Sequence, residues 1–276
     1  MNDEGAFMRL KIFLLIIATA LITAWTQAQE TFPARITRWV DGDTAQIRVL
    51  GTPPKGIAPY EVVRLLGINA PEIGEPFSEE ATTYFRTLTM GKTVYVELSP
   101  WEFRDIYSRL LAYLWVDTPE GRLMVNEALL RAGLARLLVY FPDREKYYCQ
   151  FVHALTLAQV EKKNLWGKYP EPVSLGELES NPLPYVLEVA TVVFEVSRVG
   201  QDQEGWSLWA AQSRYGFRAI LQPAPCADGW LQPVLEKNLV GKRIAVTGEI
   251  QWNSLANGPC IFVRFPEQIL FLEEEK

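Results

Sequence analysis

Val40-Asp41-Gly42-Asp43-Thr44, followed by Arg64-Leu65-Leu66-Gly67-Ile68-Asn69-Ala70-Pro71-Glu72, is the stretch whose reading decides the fold. Residues 35–50 alternate apolar and polar and are rich in β-formers, broken at Asp41-Gly42, a dipeptide that turns one strand back on another. Glu61 to Ile68 reads as another strand, and Pro71 ends it by removing a ladder donor. Further on, Ser78 reads as an N-cap, with Glu79 and Glu80 in the first turn of a helix running to Gly91. Thr93–Leu98 and Leu110–Val116 read as strands and Val125–Ala132 as a short helix stopped by Gly133. A longer helix follows, capped by Asp143 and ending near Asn164. Several strands, a helix, two strands and two helices fit a small β-barrel with helices packed on it, in the α+β class.

The same stretch gathers acidic oxygens, an amide oxygen and an arginine, a set that suits a hard cation and a phosphate. Tyr107-Ser108-Arg109 adds a second arginine. Two arginines, a carboxylate base and an oxygen-rich metal site together point to phosphodiester cleavage. Each residue also has a plain alternative. Arg64 could pair with Glu61 or Glu97, Arg109 with Asp105, and Glu72 could cap a turn; Asp41 and Asp43 could be turn formers only.

The 276 residues suit two domains, and 49% hydrophobic with 22% charged residues is ordinary globular composition. His153, the only histidine, follows Tyr147, Tyr148 and Phe151 in a helical pattern and reads as a helix-face residue. Read as a helix-face residue, it leaves no histidine for Ser-His-Asp or Cys-His catalysis, and a single histidine cannot form a two-histidine metal site. Arg9 and Lys11 precede an apolar run from Ile12 to Trp25, and Thr26-Gln27-Ala28 offers small residues before a cut. Residues 1–28 therefore read as a signal peptide, giving a secreted or periplasmic protein; an uncleaved anchor is the alternative. In an oxidising compartment Cys226 and Cys260 could pair and leave Cys149 odd, and three unpaired thiols are equally open.

Residues 29–168 form the first domain. Four prolines (Pro170, Pro172, Pro182 and Pro184) mark 169–183 as a linker. In 184–276, strands are expected at Tyr185–Val199, Trp206–Ser213, Phe217–Leu221, Gly241–Ile250 and Cys260–Phe265, with a helical or irregular Ala227–Lys237 after the third. That is the order of a mainly-β OB-like barrel. Residues 29–172 carry 17 basic against 18 acidic side chains, and 173–276 carry 8 against 13. Trp206, Trp209, Phe217 and Trp252 could stack bases, but an acidic domain lacks the cations that backbone contacts need, which favours a structural or partner-docking role.

The first domain resembles the thermonuclease, or staphylococcal nuclease-like, family, from Arg35 to Trp166. The resemblance rests on Asp41-Gly42-Asp43-Thr44, Arg64-Leu65-Leu66, Ala70-Pro71-Glu72, Tyr107-Ser108-Arg109-Leu110-Leu111-Ala112-Tyr113, Val125-Asn126-Glu127-Ala128-Leu129 and Asn164-Leu165-Trp166, in that order. It implies a five-stranded OB-type β-barrel with three helices, and a secreted, calcium-dependent nuclease acting on DNA and RNA with little sequence preference. It further implies Asp43 as a calcium carboxylate, a backbone carbonyl from Ala70, Asp41 behind them, Glu72 handling the attacking water, and Arg64 and Arg109 on the phosphate. The 5′-oxygen would leave, giving 3′-phosphates. Tyr107 matches a tyrosine near the substrate base; Tyr140 and Phe141 fall near further family tyrosines. Asn69 stands where the family has a second metal aspartate. Losing that charge is expected to weaken calcium about tenfold or more, ~1.4 kcal/mol per tenfold, with Glu75 partly compensating through water. A nuclease-fold binding module without turnover is the alternative that Asn69 keeps open.

Overall fold

The computed structural model describes residues 31–139, 146–253 and 258–272. The leader assigned to 1–28, the Asp143 cap, and Tyr140 and Phe141 lie outside the described residues.

The first barrel is built from β1 (Thr31–Trp39), β2 (Thr44–Val49) and β3 (Tyr60–Leu65), then a short β4 (Ile68–Asn69) and helix α1 (Ser78–Thr89). β5 (Val94–Leu98), β6 (Leu110–Thr118) and β7 (Gly121–Met124) follow. Helix α2 (Val125–Arg131), β8 (Arg136–Leu137) and helix α3 (Tyr148–Val160) complete it. The sheet runs β3-β2-β1-β5-β6-β7 and closes by a parallel pairing of β3 with β6, which is the expected five-stranded OB-type barrel with three helices. Alternate residues point inward: Ala45, Ile47 and Val49 of β2 and Val63 and Leu65 of β3 share a core with Phe85 of α1 and Leu129 of α2.

Two local expectations shift. The strand thought to reach Ile68 breaks at Leu66-Gly67, where Gly67 takes φ 77°, a left-handed turn that restarts the chain as β4. Ser78 is the first helical residue and is buried rather than the N-cap; Phe77 precedes it at φ 70° with no side-chain cap bond.

The second barrel comprises β10 (Val189–Asp202), β11 (Gly205–Ala210) and β12 (Arg218–Leu221), helix α5 (Leu231–Leu235), β13 (Arg243–Asn253), β14 (Gly258–Val263) and β15 (Ile269–Phe271). Its order, β10-β11-β12-β14-β13 and back to β10, repeats that of the first barrel, with β12 parallel to β14 as β3 is to β6. The stretch expected as a linker is folded. β9 (Val173–Ser174) pairs with β10, α4 (Leu175–Ser180) is capped by the Ser174 hydroxyl, and Val173 and Leu178 enter the second core. Prolines there shape edges rather than a free tether. Phe217, one of the four aromatics that could have stacked bases, is core, edge-on to Phe194 at 5.4 Å, which accords with the structural role favoured for it.

Helix α3 joins the barrels. Phe151 and Ala154 enter the first core, Val152 packs with Ala224 and Phe265, and Ala158 packs with Trp166 and Val189. A helix apolar on most faces is one buried on most faces. His153 lies on its outer side, 4.8 Å from the Phe265 ring and 3.4 Å from a Glu267 oxygen. The cysteine expectation is corrected here: Cys149, at the start of α3, is bonded to Cys226 of the second barrel, with Cα atoms 5.9 Å apart. Cys260 is the free thiol, buried in β14 in register with Arg218, and burial pushes it up to about 11.

Candidate active site

Register places the cluster. The β2–β3 ladder sets Thr44 opposite Arg64, so Asp43, one residue earlier, falls beside the arginine at the barrel's end. The parallel β3–β6 ladder sets Arg64 opposite Leu111, which brings Arg109 to the same end. The turn is held from within: the Asp43 N–H donates to Asp41 Oδ1 at 2.9 Å. Gly42 is required by close approach, since a Cβ there would lie 2.6 Å from Ala70 Cβ and 2.7 Å from Ala81 Cβ.

Asp43 is buried, and each of its oxygens has donors. Oδ1 accepts from the Thr44 hydroxyl at 3.0 Å; Oδ2 accepts from the Ala70 N–H at 2.8 Å and faces Arg64 Nη1 at 3.1 Å. Burial pushes the Asp43 carboxyl up to about 6, against the pull of Arg64 and the Ala70 N–H. Arg64 also donates to the carbonyls of Leu65 and Ile68, both at 3.0 Å, and through Nη2 to Asn69 Oδ1 at 2.9 Å. Arg64 therefore pairs with neither Glu61 nor Glu97. Glu61 holds the Arg104 fork at 2.7 and 3.0 Å, and Glu97 accepts from Trp115 and Tyr147.

Glu72 is exposed, three residues after Asn69, and lines neither of the two clefts described below. Its N–H donates to Glu75 Oε2 at 2.9 Å, and the Glu75 N–H returns to the Glu72 carbonyl at 2.9 Å, so Glu75 holds the turn that presents Glu72. Arg109 does pair with Asp105, through Nε at 2.7 Å. Although burial opposes it, the N–H and guanidinium of Arg109 hold the Asp105 carboxyl below its ordinary range. Tyr107 is exposed, with the Arg109 guanidinium 5.3 Å from its ring centre. Arg64, Arg109 and Tyr107 line one cleft of about 620 Å³, whereas Asn69, Ala70 and Glu75 line a neighbouring one of about 590 Å³.

The residues around Asp43 suit a hard cation. They offer the carboxylates of Asp41 and Asp43 and the amide oxygen of Asn69, with no sulfur or imidazole. The buried Asp43 has a single arginine against its charge. Among the described residues no three His, Cys, Asp or Glu side chains converge, so any ion here would depend on amide and backbone oxygens as well.

One supporting residue had no assigned role in the sequence. Asn126 is fully buried; its Oδ1 accepts from the Leu114 N–H at 3.0 Å, while Nδ2 donates to the carbonyls of Leu66 at 2.9 Å and Ala112 at 3.2 Å. It pins the turn after β3 to β6, behind Arg64. Its polarity, immediately after Val125 and ahead of the apolar Ala128-Leu129-Leu130, was its signal.

A barrel of this order carrying this cluster at its end defines a nuclease-like OB domain. Residues 62–168 match the family model described as staphylococcal nuclease homologue. The SPbeta prophage-derived endonuclease YokF of Bacillus subtilis is 32% identical over 146 residues, 51% of this chain and 46% of that protein. Thermonuclease of Staphylococcus hyicus is 31% identical over 139 residues, 48% of this chain and 75% of that protein. Endonuclease YncB of Bacillus subtilis is 32% identical over 137 residues, 48% of this chain and 60% of that protein. The chain thus spans about half the length of YokF and three-quarters of the thermonuclease. It belongs to the staphylococcal nuclease homologue family.

Proposed function

We propose that this chain is a secreted, calcium-dependent nuclease that hydrolyses phosphodiester bonds of DNA and RNA with little sequence specificity. The observation that carries the reading is the convergence of Asp43, Arg64 and Asn69 in one bonded cluster, with Arg109 in the cleft that Arg64 lines. The relatives named endonuclease and thermonuclease support it.

Asp43, Asn69 and the Ala70 carbonyl would hold calcium, with Asp41 bracing the turn. Calcium, when bound, supplies Lewis-acid polarisation of a phosphoryl oxygen. Arg64 and Arg109 hold the phosphate; Arg109 is tethered through Nε, which leaves its two Nη groups as a fork for phosphate oxygens. Glu72, at the water-exposed edge, orients the attacking water and accepts its proton. Tyr107 offers its ring to the adjacent sugar or base. If the 5′-oxygen leaves, 3′-phosphate products result.

Plasmid degradation in calcium against EDTA tests this. Calcium should give complete degradation, EDTA none, and Glu72→Gln a loss of roughly a hundredfold or more. Activity that persists in EDTA, or is undiminished in Glu72→Gln, refutes the mechanism. Secretion is tested separately by mass spectrometry of the exported protein's N-terminus.

A second reading rests on Asn69, whose amide oxygen accepts from Arg64 where a metal would need it. A nuclease-fold module that binds nucleic acid without turnover would retain DNA in calcium and leave it uncut.

A further inference from the structure

The outer face of β1 and β2 carries three arginines with no acid against them. Arg35, Arg38 and Arg48 are exposed, and among the described residues none of the three is in an ion pair or a side-chain hydrogen bond. Arg64, Arg104, Arg109, Arg122 and Arg131 of the same barrel each meet a carboxylate. Register sharpens the contrast. Arg35 lies directly opposite Arg48 across the β1–β2 ladder, a like-charge pair that costs stability. Arg38 is three residues from Arg35 and by strict alternation would face the core. The register shift between Ile36 and Arg38 takes up one residue and turns Arg38 outward as well, opposite Gln46. An anion spanning this face relieves the repulsion that the strands impose on it.

The kind of anion follows from where the face leads. Tyr60, Arg48 and Arg35 form one cross-strand row, and Val62, Gln46 and Arg38 the next. The third row, Arg64 with Thr44, is at the barrel's end, where Asp43 and Asn69 hold Arg64. Residues two apart share a face of a strand, so the three rows point the same way. From Thr44 to Arg48 the strand rises about 13 Å at roughly 3.3 Å per residue. That is a few phosphate spacings along a nucleic-acid strand. Tyr60, 67% exposed, sets an aromatic ring beside Arg48. A lipid surface also attracts arginines, but it takes up several apolar side chains with them, and on these rows Tyr60 is the only large exposed one. A second copy of the chain would bring its acidic barrel, but there Asp202 and Glu204 are spent on Arg218 and Glu188 on Lys168.

We propose that Arg35, Arg38 and Arg48 form an exosite on the outside of the first barrel, which grips phosphates of the nucleic-acid strand that flanks the phosphate at Arg64. Binding there favours long substrates by counterion release and leaves the reacting bond untouched. This rests on the nuclease reading and adds a surface separate from the clefts at the barrel's end.

The test measures kcat/KM of the full chain, over a range of salt concentrations, on long single-stranded DNA and on a dinucleotide, whose lone phosphate cannot span the two places. Arg35→Gln/Arg48→Gln should raise KM for long DNA about tenfold and reduce the steepness of log(kcat/KM) against log[salt] by roughly one to two. Its rate on the dinucleotide should stay at the wild-type value, and Arg48→Lys, which keeps the charge, should keep the steepness. Arg38→Gln leaves the like-charge row intact and should reduce the steepness by about 0.7–0.9. Variants that treat long DNA as the wild type does, or that lose both substrates equally, overturn the proposal. Co-sedimentation with phosphatidylserine–phosphatidylcholine vesicles and sedimentation velocity are run in parallel. Vesicle binding or self-association lost in the double variant, with the salt dependence on DNA unchanged, gives the face to lipid or to a second copy and overturns it too. If the wild type cuts neither substrate, the nuclease reading fails separately. The face is then judged by salt-dependent fluorescence anisotropy of a fluorescein-labelled oligothymidylate: a steepness lower by roughly one to two in the double variant supports it, and an equal one overturns it.

Discussion

The two barrels share a strand order and, at one point, a device. In the first, the Asp43 N–H donates to Asp41 Oδ1 in the turn between the first two strands, and Asp43 meets Arg64 of the third. In the second, the Glu204 N–H donates to Asp202 Oδ1 in the equivalent turn, and both carboxylates meet Arg218 of the third strand. Beyond the third strand the two chain paths diverge. The first barrel folds Asn69–Glu72 back over the cluster, adding an amide oxygen, a backbone N–H and an exposed carboxylate. The second sends Pro223, Pro225 and Cys226 away to the disulfide with α3. One scaffold thus folds the same loop over a polar cluster in the first barrel and ties it to α3 in the second. In the second, Arg218 is closed over by two carboxylates, with only 9% of its side chain exposed.

Breaking the matched arginines separates the two roles most sharply. Arg64→Lys keeps a charge but loses the fork that spans Asp43, two carbonyls and Asn69, and should cut kcat on DNA roughly a hundredfold. Arg218→Ala should leave kcat near wild type and lower stability by about 3 kcal/mol by stranding two carboxylates, as read by urea denaturation. If Arg218→Ala loses turnover as Arg64→Lys does, the division of labour is wrong.

Removing the tether probes the second use of that loop. Cys149→Ala/Cys226→Ala opens a link across 77 residues and should cost about 4 kcal/mol in the chain-entropy account. Thiol titration checks the pairing itself: no fast-reacting thiol in the native protein, one after unfolding, and three after unfolding and reduction. A native thiol that reacts at neutral pH would contradict the burial of Cys260.

Gly42→Ala sharpens the packing argument for the first barrel's turn. Its new methyl must displace Ala70 or Ala81 and should lower stability by about 1–3 kcal/mol, with a parallel loss of activity because Ala70 bonds Asp43.

The smallest effect lies at the exposed Glu161. Arg131 and then Lys163 hold Glu161 at about 2, below its ordinary 4.5. A depressed acid contributes stability above its unfolded value and loses it as pH falls from about 4.5 to about 2. The side chain is 41% exposed, so solvent screening keeps the benefit within about 1 kcal/mol. Glu161→Gln should therefore shift the urea midpoint slightly at pH 7 and by still less at pH 2.

Much of the architecture was legible because it is local. Alternation marked β2, β3, β5 and β6, Asp41-Gly42 marked a turn, and Gly133 ended α2. Composition also misled locally. The prolines of 169–183 read as a free tether, yet Val173 and Leu178 are drawn into the second core, because burial outweighs a weak breaker signal. For Phe217 both a stacking and a structural role stood open, because nothing in a short apolar strand tells inward from outward, and it proves to be core.

By itself the sequence determined the strand order of both barrels and the chemical inventory of one barrel end, since periodicity and residue type are properties of neighbours along the chain. Partner choice was left to the tertiary structure. Glu61 and Glu97 were open to Arg64 and Asp105 to Arg109; the ladder registers set Arg64 against Asp43 instead, and the tight turn kept Asp105 for Arg109. Three cysteines were open to pairing, and the packing of α3 between the barrels selected Cys149 with Cys226. Ion pairs and disulfides require atoms within a few ångströms, and only the closing of the barrels and their docking on α3 supplies that proximity.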